Sequence, residues 1–272
     1  MLVILIKLIS ISYIIYTLLD DLIQLSKKKS DTKYTKINNL SNDLNKMIEH
    51  DLNNMNQYIK NFINNVEIQL TNYQCYGFDA SLTLDGIINC SKANIELNIF
   101  SLMRKETLIK LFSELSITST IGIEFKSLIL SLSDETLNDI QKFIIHHELS
   151  HYFNKLDLYS TTFVYYAIRI VLLYAIIIDS LFLIYLPLIL LYPYIVMCKQ
   201  LEKSADLNAV KRLNDKNGAL SYFDFIINYG KLLKYNTRLN NLLHDSQGNY
   251  RLDITHPNKN ERLKYVQNIK FN

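Results

Sequence analysis

One stretch of this 272-residue chain limits its possible folds more than any other: between Thr161 and Met197 the only charged residues are Arg169 and Asp179. As a single helix rising about 1.5 Å per residue it would be about 55 Å long, nearly twice the roughly 30 Å hydrocarbon core of a bilayer. Asp179-Ser180 splits the stretch into residues 162–178 and 181–197, each close to the length of one crossing, so a transmembrane hairpin is expected over 158–198. Pro187 and Pro193 would break a soluble helix but are tolerated in membrane helices whose neighbours re-satisfy the backbone. Tyr165, Tyr166, Tyr192 and Tyr194 resemble an interfacial aromatic belt. The competing reading is a helical hairpin buried in a soluble core. Facing lipid, Arg169 would cost about 2.5–3.5 kcal/mol, so it is expected to face protein or a wet cavity.

A second apolar run, Leu2 to Leu19, carries only Lys7 and is expected to be an uncleaved transmembrane anchor over 1–20. A secretory signal would place its charge ahead of the run and end in small residues, whereas Tyr16-Thr-Leu-Leu-Asp20 offers no such site. Lys27, Lys28, Lys29, Lys33 and Lys36 follow closely, while the hairpin tip has only Asp179-Ser180. The excess of lysine predicts that the polar parts, and any catalytic site on them, lie on the cytoplasmic face of an integral membrane protein.

Composition removes other classes. Hydrophobic residues at 49% and charged residues at 20% exclude a disordered chain. With 29 basic and 26 acidic side chains the net charge is +3, too small for a partner bound through phosphate neutralisation, so no nucleic-acid partner is expected. Cys75, Cys90 and Cys198 have no C-x-x-C spacing, which fits neither a disulfide scaffold nor a zinc ribbon.

Between the apolar blocks, residues Ile37, Leu40, Leu44, Ile48, Leu52, Met55, Ile59, Phe62, Val66 and Leu70 recur at steps of three and four, which predicts one long amphipathic helix inside a 21–74 segment. It would be a stalk, a homo-oligomer contact, or a helix packed on its own domain. Tyr76-Gly77 is expected to end it. Ser81–Cys90, Asn94–Phe100 and Ile117–Ser131 alternate or favour β-branched residues and are predicted as strands. The expected architecture is therefore mainly α with a small β-sheet (α+β). A small sheet and a helix occupy 75–157, and a helical part occupies 199–272.

The chemistry-bearing motif is His147-Glu148-Leu149-Ser150-His151. Ser133 is placed to cap a helix, Asp134 and Glu135 suit its positive end, and Leu137, Ile140 and Ile144 form an apolar face. On a helix, positions i and i+4 stack, so His147 and His151 aim at one metal ion while Glu148 stands beside it as a base for a water molecule. Such a site needs a third protein ligand. Glu202 and Asp206, again at i and i+4, supply one: Glu202 as the ligand, and Asp206 as a hydrogen-bond acceptor for the far nitrogen of a ligand histidine. The two motifs flank the apolar block, so they can share an ion only if that block crosses the membrane an even number of times. The length arithmetic independently predicts two. His146 is expected at the surface or next to a ligand.

These residues together, followed by Thr255-His256-Pro257 and then Arg262, resemble the membrane-bound gluzincin metalloproteases. That group includes the heat-shock protease HtpX, the CAAX prenyl protease and the Oma-type mitochondrial protease. The resemblance covers Leu132 to about Ile269. It implies a gluzincin-like protease domain over 75–272 and one zinc ion per chain on His147, His151 and Glu202. It also implies Glu148 as general base, and His256 and Arg262 near the substrate or the oxyanion. The substrate implied is a membrane or membrane-proximal protein, cut for quality control or precursor processing. The family's upstream edge-strand motif is not evident, and Ile117–Ser131 stands as the candidate peptide-binding strand. Sensor proteases of the BlaR type share the paired motifs, and a catalytically dead scaffold recruiting partners through residues 37–70 is the reading from another class.

Overall fold

The computed structural model describes residues 40–70, 78, 80–84, 93–115, 117–177 and 181–271. The expected anchor, the lysine cluster, Tyr76-Gly77, Cys75 and Cys90 lie outside these residues. The described chain is mainly helical with one small sheet. Helix α1 (Asn42–Lys60) leads into β1 (Val66–Leu70), followed by β2 (Ala80–Leu84) and β3 (Ala93–Leu97). Helices α2 (Ile99–Leu102), α3 (Lys105–Glu114) and α4 (Thr120–Ser131) come next, then α5 (Asp134–Phe153). A hairpin follows, α6 (Lys155–Ile177) and α7 (Leu181–Leu213), and then α8 (Asn217–Asn236), α9 (Arg238–Leu243) and α10 (Lys259–Gln267). The sheet order is β1-β3-β2, with β1 parallel and β2 antiparallel to the central β3, so among the described residues β2 is an edge.

The predicted helix over 37–70 is shorter than its periodicity implies. Ser41 caps α1 by accepting from the Leu44 amide at 3.2 Å, and the helix stops at Lys60. Beyond Asn61 the apolar spacing changes to every second residue, with Val66 and Ile68 buried, and that segment is β1. Asn56 ties the two together: its Oδ1 accepts from the Ile68 amide at 2.7 Å. The apolar face of α1 is committed to the chain's own core, where Leu44, Ile48 and Ile59 are fully buried. Each such side chain contributes roughly 1.5–3 kcal/mol. The same core includes sheet residues Ile95 and Leu97, helix residues Phe125 and Phe143, and Val266 near the far end of the chain.

Two of the predicted strands need correction. Residues 117–131 are not a strand: Ser119 caps α4 through the Gly122 amide, and Phe125 and Ile129, four apart, form its buried face. The density of isoleucine and threonine suggested β structure, but period four with a cap decides for the helix. The strand at 94–100 ends at Leu97, because Asn98 turns the chain by accepting from the Phe100 amide at 3.0 Å.

Helix α5 forms as its sequence predicts. Ser133 Oγ accepts from the Thr136 amide at 3.0 Å, and Asp134 and Glu135 occupy the positive first turn. It runs through the middle of the molecule, packed by α7, α8, β2 and β3. Gly218 permits the close approach of α8: a Cβ there would collide with the Asp139 carbonyl. Helices α6 and α7 lie against each other along the hairpin. Among the described residues one helix, Lys155–Tyr174, is long and apolar enough to cross a membrane, with mean hydropathy 1.3 and only 6% of the segment buried. The expected second crossing, residues 181–197, does not meet this measure among the described residues. Phe163, Ile170, Ile189 and Tyr192 point outward from the hairpin. Arg169 is half-buried and stacks its guanidinium over the Tyr165 ring at 4.4 Å.

Candidate metal centre

Two helices build the site, each contributing residues one turn apart. α5 presents His147 and His151, whose Nε2 atoms stand 3.2 Å apart. α7 presents Glu202, with Oε2 3.4 Å from His147 Nε2 and Oε1 3.3 Å from His151 Nε2. Neither helix could do this alone, and the hairpin between them brings the α7 carboxylate back to the α5 imidazoles. The three groups can hold a metal ion. Their edges of 3.2, 3.4 and 3.3 Å are within about 0.1 Å of the roughly 3.3–3.6 Å range of a tetrahedron with bonds of about 2.0–2.2 Å.

Around this triangle lies a network that fixes it. Asp206, one turn after Glu202 and fully buried, stands 2.8 Å from His147 Nδ1, with the carboxylate off the axis of the ring N–H. Arg262 of α10 donates to Asp206 twice, from Nε at 2.8 Å and from Nη2 at 2.7 Å, and Nη2 is 3.6 Å from Glu202 Oε2. Tyr265, three residues on, donates its hydroxyl to Asp206 Oδ2. Arg262 also lies over the Phe223 ring at 4.9 Å. Asp206 can therefore hold His147 in the tautomer that leaves Nε2 free for an ion, as partner carboxylates of ligand histidines do.

Three carboxylates crowd the site. Glu148, Glu202 and Asp206 lie about a single guanidinium, that of Arg262, and are largely shielded from water. Burial alone would push the His147 imidazole down, but the Asp206 and Glu202 carboxylates outweigh it and raise it to about 10. Burial pushes Glu202 up as well, yet His147 and His151 bring it well below the ordinary carboxylate range. Glu148 is raised: its burial is offset only in part by His147 and His151.

The triangle opens into a cleft of about 360 Å³ whose wall includes Glu148, Tyr222, His256 and the β2 residues Ala80, Ser81 and Leu82. Among the described residues no strand pairs with the outer edge of β2. This edge, and not residues 117–131, is the extended backbone beside the site. His256 is nearly half exposed; its Nε2 is 3.8 Å from Glu202 Oε1, and its Nδ1 is 2.7 Å from Asp253 Oδ1.

All seven residues singled out in the sequence (His147, Glu148, His151, Glu202, Asp206, His256 and Arg262) border this one cleft or its network. Arg262 is engaged by Asp206. His146 departs from expectation: it is completely buried on the opposite face of α5, its Nε2 2.8 Å from the Tyr58 hydroxyl of α1. Burial lowers its imidazole to about 4. Asp253, Tyr222 and Tyr265 were not anticipated. Asp253 and Tyr265 sit three residues from His256 and Arg262, a spacing that in hindsight marks them. Tyr222, raised to about 12 by burial, remains a protonated donor at the cleft.

No family model matches the chain, and no curated protein or solved structure is significantly similar to it.

Proposed function

We propose that this protein is a membrane-associated zinc endopeptidase of the gluzincin type, acting on membrane or membrane-proximal polypeptides. The observation that carries the reading is the convergence, in one cleft, of a two-histidine, one-carboxylate triangle, a buried glutamate and a strand edge that is unpaired among the described residues. Two imidazoles and a carboxylate at tetrahedral separations suit zinc, which leaves its fourth position open in catalytic sites. Held there, zinc would supply a water with pKa near about 7 and a Lewis acid for the scissile carbonyl.

The chain's own groups do the rest. Glu148 accepts the proton of the attacking water and delivers it to the leaving amine; its raised pKa brings it closer to the working pH, where a general base is most effective. With an ion on Nε2, Asp206 would accept from His147 Nδ1–H, and Arg262 and Tyr265 hold Asp206 still. Asp253 holds the Nδ1 side of His256 and turns Nε2 toward the cleft; as an imidazolium, donating from both ring nitrogens, His256 would stabilise a developing oxyanion. The β2 edge offers backbone groups to an extended substrate, which gives affinity with little demand on sequence. The exposed apolar residues of Lys155–Tyr174 favour insertion in a bilayer, and the lysine excess at 27–36 argues for the cleft at the cytoplasmic surface.

The test uses the full chain in detergent. Elemental analysis should return about one zinc per chain, and an unstructured peptide should be cut. Glu148→Gln should retain the zinc and lose the cleavage. A Glu148→Gln protein as active as the wild type would refute the assignment of the base.

A further inference from the structure

A second recess of about 390 Å³ opens off the metal cleft, between the two helices of the hairpin. It shares Leu158, Leu201, Glu202 and His256 with the cleft, whereas the β2 residues border the cleft alone. The recess therefore lies at the hairpin end of the cleft, directly beside the ligand carboxylate. Its walls are Thr161, Thr162 and Tyr165 from α6 and Tyr194 and Cys198 from α7. The spacing accounts for this. Residues 158, 161, 162 and 165 fall on one face of α6, and 194, 198, 201 and 202 on one face of α7, so the two faces meet across the gap.

We infer that this recess is the specificity pocket of the enzyme, taking a large uncharged side chain, aromatic or branched aliphatic, from the substrate residue next to the bond that is cut. The inference rests on the endopeptidase reading and extends it to substrate class. Three observations support it. The volume accommodates the largest natural side chains. The walls carry hydroxyls, a thiol and leucine methyls; the carboxylate and imidazole that border it are Glu202, committed to the ion triangle, and His256, held by Asp253. A charged side chain entering it would lose its water without gaining a partner. Finally, Tyr165 and Tyr194 face each other across the two helices, ring centroids 6.0 Å apart and tilted 31°, and offer aromatic faces and edges to an incoming ring. Arg169, stacked on Tyr165, steadies that wall.

The test is a set of fluorogenic peptides that differ only at the residue flanking the cleaved bond, with Phe, Ala or Asp, the cut being located by mass spectrometry. For the full-length wild type in detergent, kcat/KM for the Phe peptide should exceed that for Ala by about a hundredfold, with Asp poorer still. Thr161→Phe, which fills the recess, should lower the Phe-to-Ala ratio at least about tenfold. Thr162→Leu, a smaller intrusion, should lower it in the same direction. Zinc content reports whether each variant folds, and if both lost the metal the wild-type ratio would decide alone. A wild-type ratio near one, or an unchanged ratio in zinc-loaded variants, overturns the pocket. If no peptide is cut and wild type behaves as Glu148→Gln does, it is the endopeptidase reading that falls.

Discussion

Arg262 and Asp206, 56 residues apart, are joined by two parallel hydrogen bonds of 2.8 and 2.7 Å, and the same Asp206 stands 2.8 Å from His147 Nδ1. A residue of the last helix thus reaches the metal site through one buried carboxylate. Arg262→Lys keeps the charge but loses the planar fork. It should weaken zinc binding about 10- to 100-fold, measured by competition with a chromogenic chelator. Arg262→Met, which leaves Asp206 buried without its cation, should also cost about 3–5 kcal/mol of stability in denaturant unfolding.

Metal removal should destabilise the fold, since the ligands come from α5 and α7 and an ion ties those helices together. Zinc restored at about 100 times its dissociation constant should return about 2.7 kcal/mol. The check is the melting temperature of chelated and zinc-loaded protein: equal values would mean that the triangle binds no ion. Magnesium should not substitute, because two imidazoles are poor ligands for a hard cation.

The buried His146–Tyr58 contact joins α1 to the back of helix α5, with the Phe62 ring edge-on to His146 at 4.8 Å. Tyr58→Phe removes the only hydrogen-bond partner of His146 Nε2 among the described residues and should cost about 1–3 kcal/mol. Zinc stoichiometry should stay at one per chain, because His147 and His151 face the other way. Thermal unfolding together with elemental analysis separates the two effects.

Acid should loosen the turn that precedes His256. Burial pushes Asp245 up, but bonds from the Asn249 side chain and from the Asn249 and Gln247 amides prevail, and its carboxyl is held below the ordinary range. A depressed folded pKa contributes stability that is fully present above the unfolded value, about 3.9, and is lost as pH falls through the folded one. Asp245→Asn cannot titrate. Melting temperatures from pH 6 down to pH 3 should therefore fall less steeply for Asp245→Asn than for wild type, and parallel curves would disprove the role.

How much of this was legible in the sequence depends on the distance over which each feature is determined. The pairs 147/151 and 202/206 were legible because helical geometry alone puts residues four apart on one side. The Ser133 cap and the acidic first turn of α5 were legible for the same local reason. What failed was local pattern in competition with other local pattern: residues 63–70 fit both a helical and a strand period, and Thr120–Ser131 has strand-like composition on a capped helix. The Tyr58–His146 bond spans 88 residues and leaves no periodic trace. The β2 edge was legible as a strand, but nothing along the chain says that it would lie beside Glu148.

Helix α7 is continuous from Leu181 to Leu213, so the outer leg of the hairpin and the segment bearing Glu202 and Asp206 are one rod. Phase along a rod is cumulative: each residue turns the next by about 100°. One residue inserted between 181 and 193 would leave Glu202 in step with α5 but swing everything outboard of the insertion a quarter turn or more. Its outward surface would then be presented in a new direction, while the carboxylate stayed where the imidazoles need it.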